Sequence, residues 1–318
     1  MLAYCDEVIV RDALLTLARS GAVRQVVTSA PGVSGVVNRF AAGDDDDDAV
    51  RTASDLQDAG FTVTLDYLGE DTLDREMADR TAGAYVRILH RLADAGLTHD
   101  VEVSVKLSAV GQALDTVGQQ VATENARLIC QAAADAGTTV TLDMEDHTTT
   151  DLTLQTLHDL RADFPDTGAV LQAYLHRTEQ DCRDLAVAGS RIRLCKGAYS
   201  EPESVAYVKR SDVDRAYVRC MRILLGGEGY PMLATHDHRL ISIAEALTRR
   251  FARPRDTYEY QMLFGVRRDQ QRRLLEVGEQ VRVYVPYGTE WYGYLVRRMA
   301  ERPANLALGV RAILDHHE

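Results

Sequence analysis

The stretch TVTLDYLGE at residues 62–70 is the first of eight short runs, each filled by β-branched and apolar residues and each followed by a stretch compatible with a helix. Strands that alternate with helices in this way indicate parallel β-α units. Eight such units predict an α/β protein with a (β/α)8 barrel, whose active site lies at the carboxyl ends of the strands. The other runs are VEVSVKLS (101–108), TVTLDMED (139–146), AVLQAYLHR (169–177), IRLCKGAY (192–199), MLATHD (232–237), YEYQMLFG (258–265) and VRVYVPYG (281–288).

The stretches between the runs predict the helices of a single domain, with the barrel over residues 61–302 and a helical extension over residues 1–40. Gly96, Gly137 and Gly189 follow predicted helices, where a glycine commonly ends a helix. No small-residue linker divides the chain. Helices are predicted near 72–95, 119–136, 151–163, 178–188, 204–226, 239–252, 267–279, 290–302 and 304–316.

Composition and charge exclude several classes of protein. The chain has 318 residues, 46% of them hydrophobic and 26% charged, as is usual for a globular enzyme. A net charge of −12 argues against general nucleic-acid binding and against strong electrostatic binding to anionic lipid. No apolar stretch reaches the roughly 18–20 residues that span a bilayer, and the first residues do not resemble a signal peptide. We therefore expect a cytoplasmic protein, with peripheral membrane contact left open.

An acidic run of five aspartates, Asp44 to Asp48, precedes a predicted helix. The alternating ligands and the final glutamate of a calcium loop are missing. We expect a solvated helix N-terminus, where negative charge is favourable with the helix dipole.

Lys106 and Asp143 lie at the ends of the second and third runs. Desolvation among Val, Ser and Leu is expected to lower the pKa of Lys106 and suit it for proton transfer or a Schiff base. A lysine that reaches solvent or pairs with an acid is the alternative. Strand alternation predicts that Asp143 and Glu145 share a face, with one of them in the mouth of the barrel.

The fourth and fifth runs carry further polar residues. Gln172 needs a hydrogen-bond partner if buried, and either a planar heterocycle or a neighbouring backbone would supply one. Arg193 and Lys196 flank the small step Gly197-Ala198, which suits close approach to a flat anionic ligand. An ion pair with acids of the third strand is the alternative for these cations.

Two remaining features have competing explanations. The His-Asp-His spacing at 236–238 fits a metal site, but no further histidine lies at suitable strand ends, so we expect no metal. The adjacent Arg297 and Arg298 follow the last strand. They either face solvent or belong to a helix across the mouth that aims both at one carboxylate. No glycine-rich nucleotide motif follows a strand, so a Rossmann domain or P-loop is not supported.

Taken together, these motifs closely resemble the proline dehydrogenase family, both its monofunctional bacterial enzymes and the matching domain of its bifunctional members. The resemblance covers roughly residues 36–306 in unbroken order. It rests on Leu68-Gly69-Glu70, Val105-Lys106-Leu107-Ser108, Asp143-Met144-Glu145, the Gln172 strand, Arg193 with Lys196-Gly197-Ala198-Tyr199, Thr235-His236, YEYQMLFG, Tyr284 in VRVYVPYG, and Arg297-Arg298 with ERPAN.

The resemblance implies a distorted, TIM-like barrel with a C-terminal helix over its mouth and noncovalent FAD in it. It implies oxidation of L-proline to Δ1-pyrroline-5-carboxylate, the first step of proline catabolism, with hydride passing to flavin N5 and electrons then to a quinone. It further implies a functional link to a pyrroline-5-carboxylate dehydrogenase.

The resemblance also assigns roles on the substrate side. Arg297 and Arg298 should clamp the proline carboxylate, and Glu70 resembles an acid that pairs with this clamp as a gate. Lys106 should lie beside the substrate, while Asp143 and Tyr284 share a hydrogen-bond network. Fixing the carboxylate aligns the reacting carbon, and positioning alone is worth several kcal/mol.

On the cofactor side, the resemblance places Arg193 near flavin N5. A cation there stabilises negative charge on the reduced flavin. The other predicted FAD contacts are Met144, Gln172, Lys196, Gly197, Ala198, Thr235 and His236.

Overall fold

The computed structural model describes residues 39–294, in which eight parallel strands close into a barrel in sequence order. The last strand pairs with the first over six residues, from Thr62 opposite Arg282 to Tyr67 opposite Tyr287. All eight predicted strands are present, so the predicted α/β barrel is confirmed. The strands are β1 (Thr62–Tyr67), β2 (Val101–Val105), β3 (Val140–Leu142), β4 (Gly168–Gln172), β5 (Arg191–Cys195), β6 (Tyr230–Ala234), β7 (Glu259–Leu263) and β8 (Val281–Tyr287).

Helices connect the strands and form the outer layer of the barrel. They are α1 (Asp46–Asp58), α2 (Arg75–Asp94), α3 (Gly118–Ala136), α4 (Thr150–Arg161), α5 (Thr178–Leu185), α6 (Arg210–Gly226), α7 (His238–Arg250) and α8 (Arg268–Glu276), with short 3-10 turns at Leu107–Val110 and Arg255–Thr257. Residues 291–294 begin a further helix. The predicted extension over 1–40 and the last predicted helices lie almost wholly outside the described residues.

Local signals explain most helix ends. Asp74 caps α2 by accepting a hydrogen bond from the backbone NH of Met77 at 2.8 Å. Gly137 ends α3 in the left-handed conformation, with φ of 77°, and Gly96 and Gly189 also have positive φ. These are the three glycines at which the sequence predicts helix ends.

The predicted helix near 204–226 begins later, at Arg210. The residues before it pair with the exit of β4 instead. Ala206 forms a bridge with Leu175, and the backbone NH of Tyr207 donates to the carbonyl of Tyr174 at 2.7 Å. This pairing holds the β5–α6 loop against the end of β4.

The acidic run forms the N-terminus of α1, as predicted. Asp45 accepts a hydrogen bond from the backbone NH of Asp48 at 2.9 Å, and three aspartates occupy the first turn. Helix α1 packs against both β8 and β1. It therefore covers the seam where the barrel closes, a place that the helix after the last strand occupies in a regular (β/α)8 barrel.

Alternation along the strands divides the side chains between two environments. Val63 and Leu65 of β1 are fully buried in the apolar layer between strands and helices. The alternate residues Thr64 and Asp66 contact side chains of β2 and its exit instead. Branched apolar residues usually fill a barrel lumen. In this protein, polar and charged side chains fill the lumen, and their contacts position the residues of the site.

Candidate active site

A buried arginine crosses the lumen near the carboxyl-terminal end of the barrel, here called the mouth. Arg193 of β5 donates to Oδ1 of Asp143 at 2.7 Å and to Oγ of Ser104 at 3.0 Å. Its Nε donates to Oε1 of Gln261 at 2.5 Å. Since β2, β5 and β7 are not neighbours, these bonds run through the lumen and fix the guanidinium on several sides.

Asp143 joins this arginine to Tyr284 of β8. The Tyr284 hydroxyl donates to Oδ2 of Asp143 at 2.8 Å, while Arg193 occupies Oδ1. The guanidinium of Arg193 also lies 5.2 Å from the centre of the Tyr284 ring. Burial raises the pKa of Tyr284 well above its ordinary value, so its hydroxyl remains a donor. The network expected around Asp143 is therefore present.

Lys106 lies across the mouth beside the same aspartate. Its Nζ is 2.7 Å from both oxygens of Asp66 and 3.9 Å from Oδ2 of Asp143. Burial acts to lower the pKa of Lys106, but the charges of Asp66 and Asp143 outweigh it and raise that pKa. Of the alternatives considered from the sequence, the structure therefore shows the lysine that pairs with an acid.

Glu145 has different hydrogen-bond partners from Asp143. Strand β3 ends at Leu142, so the alternation assumed for the next residues does not hold. The Glu145 carboxylate is buried and accepts from the backbone NH and hydroxyl of Ser108. Burial raises the pKa of Glu145 despite these bonds. The same Ser108 hydroxyl accepts from the backbone NH of Asp71, next to Glu70.

Gln172 is the last residue of β4, and Met144 follows the end of β3. The Gln172 amide donates to the carbonyl of Glu145 at 2.7 Å, which is the backbone partner considered from the sequence. Both side chains are almost inaccessible. Gln172 thus holds the segment after β3 in place.

The segment after β5 is packed tightly at Gly197. This glycine has φ of 108°, and an added Cβ would lie 2.2 Å from the ring of Tyr174. Lys196 pairs with Asp214 at 2.5 Å and with Asp237 at 3.2 Å. The predicted alternative, an ion pair with acids of the third strand, holds for Arg193. Lys196 pairs instead with acids that follow β5 and β6.

The Tyr174 hydroxyl donates to Glu201, which also accepts from the backbone NH of His147 at 2.9 Å and contacts its ring. Glu201 thereby joins the loops that follow β3 and β5.

His236 and Thr235 lie at the end of β6. The Nε2 of His236 accepts from the backbone NH of Leu263 at 2.9 Å, and the Thr235 hydroxyl accepts from the backbone NH of Asp237 at 3.2 Å. His236 therefore fixes the β6 exit against β7, and Thr235 stabilises the turn that follows β6. Across residues 39–294, no three His, Cys, Asp or Glu side chains are grouped as a metal site.

A second charged group fills the opposite end of the lumen, here called the base cluster: Glu102, Arg191, Glu259 and Arg282. Glu102 accepts from Arg191 at 2.6 Å and lies 3.5 Å from Arg193. Arg282 donates to Glu259 at 2.8 Å. Burial acts to raise the pKa of Glu102, but the charges of the three arginines hold it well below its ordinary range. A search of the residues at the ends of the apolar runs could not find the base cluster, because its residues lie at the starts of the strands.

Sequence reasoning also missed Asp66, Ser104 and Gln261, which contact the predicted site residues directly. Asp66 is an ionisable residue inside the apolar run 62–70, and Ser104 is two residues before Lys106. Strand alternation places positions 104 and 106 on one face. The two-residue period of the strand was therefore the signal that could have identified Ser104. Its partners across the lumen depend on strand register and barrel closure, which the sequence does not show.

The predicted carboxylate clamp, Arg297 and Arg298, lies outside the described residues. Glu70, the predicted gate, follows β1 and contributes to the raised pKa of Lys106. It therefore belongs to the same mouth. Together the groups at the mouth form a set that we call the mouth cluster: Asp66, Lys106, Asp143, Arg193 and Tyr284.

Comparison with known proteins identifies the family. A family model described as "Proline dehydrogenase" matches residues 49–308. The chain belongs to the proline dehydrogenase family. The resemblance predicted from the sequence is thereby confirmed, and membership makes the chain an oxidoreductase of the proline dehydrogenase type.

Individual relatives agree over nearly the whole chain. "Proline dehydrogenase" of Deinococcus radiodurans is 37% identical over 306 residues, which is 96% of this chain and 97% of the relative. "Proline dehydrogenase 2" of Bacillus subtilis is 35% identical, over 96% of this chain and 99% of the relative.

A crystal structure of proline utilization A (PutA) from Bdellovibrio bacteriovorus, inactivated by N-propargylglycine, has a TM-score of 0.77 at 25% identity. The match covers 84% of this chain and 32% of that protein. The chain therefore spans about a third of a much longer relative, within which the same barrel is found.

Proposed function

We propose that the protein oxidises L-proline to Δ1-pyrroline-5-carboxylate with FAD as its cofactor, as the first step of proline catabolism. The observation that carries this proposal is the mouth cluster, in which Arg193, Asp143 and Tyr284 are joined by direct hydrogen bonds in a member of the proline dehydrogenase family. These groups lie at the end of the barrel where active sites of this fold are built.

The residues at the ends of β3 to β6 fit a flavin nucleotide. Met144 and Gln172 supply a buried wall with an amide, which suits a flat ring that has apolar faces and polar edges. Lys196 is a cation with about a quarter of its side chain exposed, which suits a phosphate group. The backbone at Gly197 and Ala198 carries no long side chain. When bound there, FAD would supply the hydride acceptor, at its N5 atom.

Arg193 would lie beside that acceptor. Its guanidinium is buried and held by Asp143, Ser104 and Gln261, so its position does not depend on the ligand. A fixed cation stabilises negative charge that develops near it during the reaction, without a cost for reorganisation. We assign Asp143 to hold Arg193 and Tyr284 in this arrangement.

Lys106, Tyr284 and the clamp residues Arg297 and Arg298 would hold the substrate. Two arginines present a fork geometry that matches a carboxylate. Helix α1 already covers the seam between β8 and β1. The helix after β8 is therefore not needed there, which supports its assignment to the mouth. Glu70, in the loop after β1, would pair with the clamp when no carboxylate is bound.

Two other reactions are less well supported. A Schiff-base lyase would need Lys106 or Lys196 as a neutral amine. Each of these lysines is instead paired with an aspartate, Lys106 with Asp66 and Lys196 with Asp214. Trapping with borohydride and a carbonyl substrate would favour that reaction. A metal-dependent hydrolase needs a cluster of ligands, which is absent from residues 39–294. Metal analysis of the purified protein tests it.

The electrons would leave to a quinone, and the product would pass to a pyrroline-5-carboxylate dehydrogenase. Two of the bifunctional relatives support that functional link: PutA of Escherichia coli and of Salmonella typhimurium are each 27% identical over 87% of this chain. In the described part of the chain, no helix has both the length and the apolar character to cross a membrane. We propose a cytoplasmic location with peripheral contact to the membrane that holds the quinone.

The decisive experiment is a visible spectrum of the purified protein before and after anaerobic L-proline. We expect flavin absorbance at about 450 nm that is lost on addition of proline, because hydride transfer reduces the flavin. D-proline serves as the control ligand. A colourless protein, or a flavin that proline does not reduce, would contradict the proposal.

Arg298→Ala tests the carboxylate clamp. The variant should keep its FAD but raise the proline KM by about 10- to 100-fold, since one charge-assisted hydrogen bond is worth about 1.5–3 kcal/mol. Arg127→Ala is the matched control, because Arg127 pairs with Asp163 on the outer helices. An unchanged KM in Arg298→Ala would refute the clamp.

A further inference from the structure

Asp66 is a fully buried carboxylate at the end of β1 whose two oxygens are both used by one cation. Each oxygen lies 2.7 Å from Nζ of Lys106, and the side chain is 1% exposed. The Tyr85 hydroxyl lies 3.4 Å from Oδ1. Asp66 is not one of the site residues predicted from the sequence, and the proposed reaction does not use it.

The use of lysine at position 106 is itself unusual in this chain. Only three of the 36 Lys and Arg residues are lysines: Lys106, Lys196 and Lys209. Two of the three lie at strand ends of the mouth. A lysine is a compact point charge that loses its proton readily when buried, whereas an arginine keeps its charge. A buried lysine therefore needs a partner if it is to stay charged.

Several charged or titratable groups face Lys106 from the elements around it. Asp143 follows β3, Glu70 follows β1, and the charges of both raise the pKa of Lys106. Lys106 in turn acts to lower the pKa of Glu145, although burial raises that pKa overall. Tyr284 from β8 and Tyr85 from α2 approach the two aspartates. Asp66 makes the short contacts with Lys106, with both oxygens at 2.7 Å, whereas Asp143 is 3.9 Å away.

We propose that Asp66 is a positioning residue that holds Lys106 as a fixed ammonium group beside the substrate. Lys106 then acts as a cation and does not accept the amine proton of the substrate. Asp66 balances the formal charge of Lys106, as Asp143 balances that of Arg193. This inference rests on the proposed proline oxidation.

The arrangement also separates the cation from Asp143. Nζ of Lys106 is 3.9 Å from Oδ2 of Asp143, an oxygen that already accepts from Tyr284. Without Asp66, Lys106 would either lose its proton or move toward Asp143. Loss of the proton follows because burial disfavours a charged lysine. Both changes would disturb the mouth, and the first would depend on pH.

The first test measures the charge of Lys106 directly. Because the chain has only three lysines, protein grown with 13C-labelled lysine gives three ε-carbon signals, and Lys106→Met identifies one of them. In the wild-type protein, the Lys106 signal should titrate above the value of lysine in a short peptide. In Asp66→Asn it should titrate below that value. A wild-type signal that titrates at or below the peptide value, or one that does not move in Asp66→Asn, would overturn the proposal.

The second test measures kcat/KM for proline from about pH 6 to about pH 10, a range that brackets a lysine with a lowered pKa. The ratio of wild type to Asp66→Asn should grow by at least about tenfold across this range, since a charged fraction falls tenfold for each pH unit above the pKa. Asp66→Glu should restore most of the activity at high pH. A ratio that stays constant with pH indicates only a structural role and would overturn the proposal.

Two controls complete the design. Asp181→Asn removes a similar carboxylate, which pairs with Arg177 on the outer layer, and it should not change the pH profile. In the Lys106→Met background, Asp66→Asn should lose its pH-dependent effect. If the wild-type flavin is not reduced by proline, the proposed function fails. The lysine titration still decides whether Asp66 holds Lys106 charged, so the two failures are distinguishable.

Discussion

The two ends of the barrel lumen carry similar charges but differ in how those charges are enclosed. At the base, Glu102 and Glu259 are at most 2% exposed and accept hydrogen bonds from arginines on neighbouring or opposite strands. At the mouth, Lys106 and Asp143 keep 12% and 13% of their side chains exposed. At the base, only the arginines keep part of their side chains exposed, 15% for Arg191 and 11% for Arg282, and they enclose the carboxylates. At the mouth, a carboxylate and a lysine are themselves partly accessible to a ligand.

This difference indicates that charge inside a barrel does not by itself mark an active site. A buried ion pair is often no more stabilising than apolar residues of the same shape, although breaking it is costly. The base cluster therefore belongs to the structure of the barrel, and its removal should change stability. The mouth cluster combines the same kind of ion pairs with access, and its removal should change the chemistry as well. Arg193 joins the two, because it contacts both Glu102 and Asp143.

Arg193→Ala should have the largest effect, because it acts on both clusters. Loss of a fixed cation at the reacting centre costs about 10²–10³-fold in rate, and the buried carboxylates left behind cost about 3–5 kcal/mol of stability. Flavin reduction by proline in a stopped-flow experiment and urea denaturation measure the two effects. Normal reduction kinetics would refute the placement of Arg193 beside the cofactor.

Arg282→Met should affect stability alone. The substitution removes the Arg282 partner of Glu259 and one of the arginines near Glu102. The free energy of unfolding should therefore fall by about 3–5 kcal/mol. The folded fraction should keep kcat and KM within about threefold, which is less than 1 kcal/mol. Denaturation curves and steady-state kinetics at a temperature where the variant stays folded test this. A large change in kcat with unchanged stability would reverse the roles of the two ends.

Tyr284→Phe should have a smaller effect, confined to the mouth. It removes one hydrogen bond to the ionised Asp143, worth about 1.5–3 kcal/mol. We expect kcat/KM for proline to fall by about 10- to 100-fold, with FAD content unchanged. Tyr230→Phe is the matched control at the base, where the hydroxyl contacts Gln280 and Glu259. Equal losses of activity in both variants would show that the two ends do not differ.

The smallest expected effect is in the pH dependence of stability, where one glutamate from each end should act with opposite sign. The pKa of Glu102 is lowered, so its contribution is present above the unfolded pKa of about 4.3 and is lost as pH falls. The pKa of Glu145 is raised by burial, so its contribution is present below that value and is lost as pH rises through the folded pKa.

Denaturation from about pH 3 to about pH 8 measures both slopes, each at most about 1.4 kcal/mol per pH unit for one proton. Glu102→Gln should flatten the acid side of the curve, and Glu145→Gln should flatten the side toward neutral pH. Slopes unchanged in both variants would contradict the opposite shifts of these two pKa values.

The sequence was sufficient for the strand order, since each run has a local pattern of its own. It also predicted that polar residues at the run ends share one end of the barrel, because parallel strands bring those ends together. The sequence did not show which side chains pair with each other. The sequence left open whether Lys106 is a neutral base or pairs with an acid, and only the structure shows that Asp66 on another strand is its partner. The alternation assumed for Glu145 was wrong because β3 ends at Leu142.

By itself, the amino-acid sequence determined the eight-stranded barrel, the helix ends at Gly96 and Gly137, and the family to which the chain belongs. Periodicity, glycine conformation and motif order are properties of neighbouring residues, so they can be read along the chain. Only the tertiary structure decided which acid each cation meets. Closure of β8 onto β1 and the register of the strands bring Asp66 to Lys106 and Glu102 to Arg282, and such distances across a lumen depend on all eight strands at once.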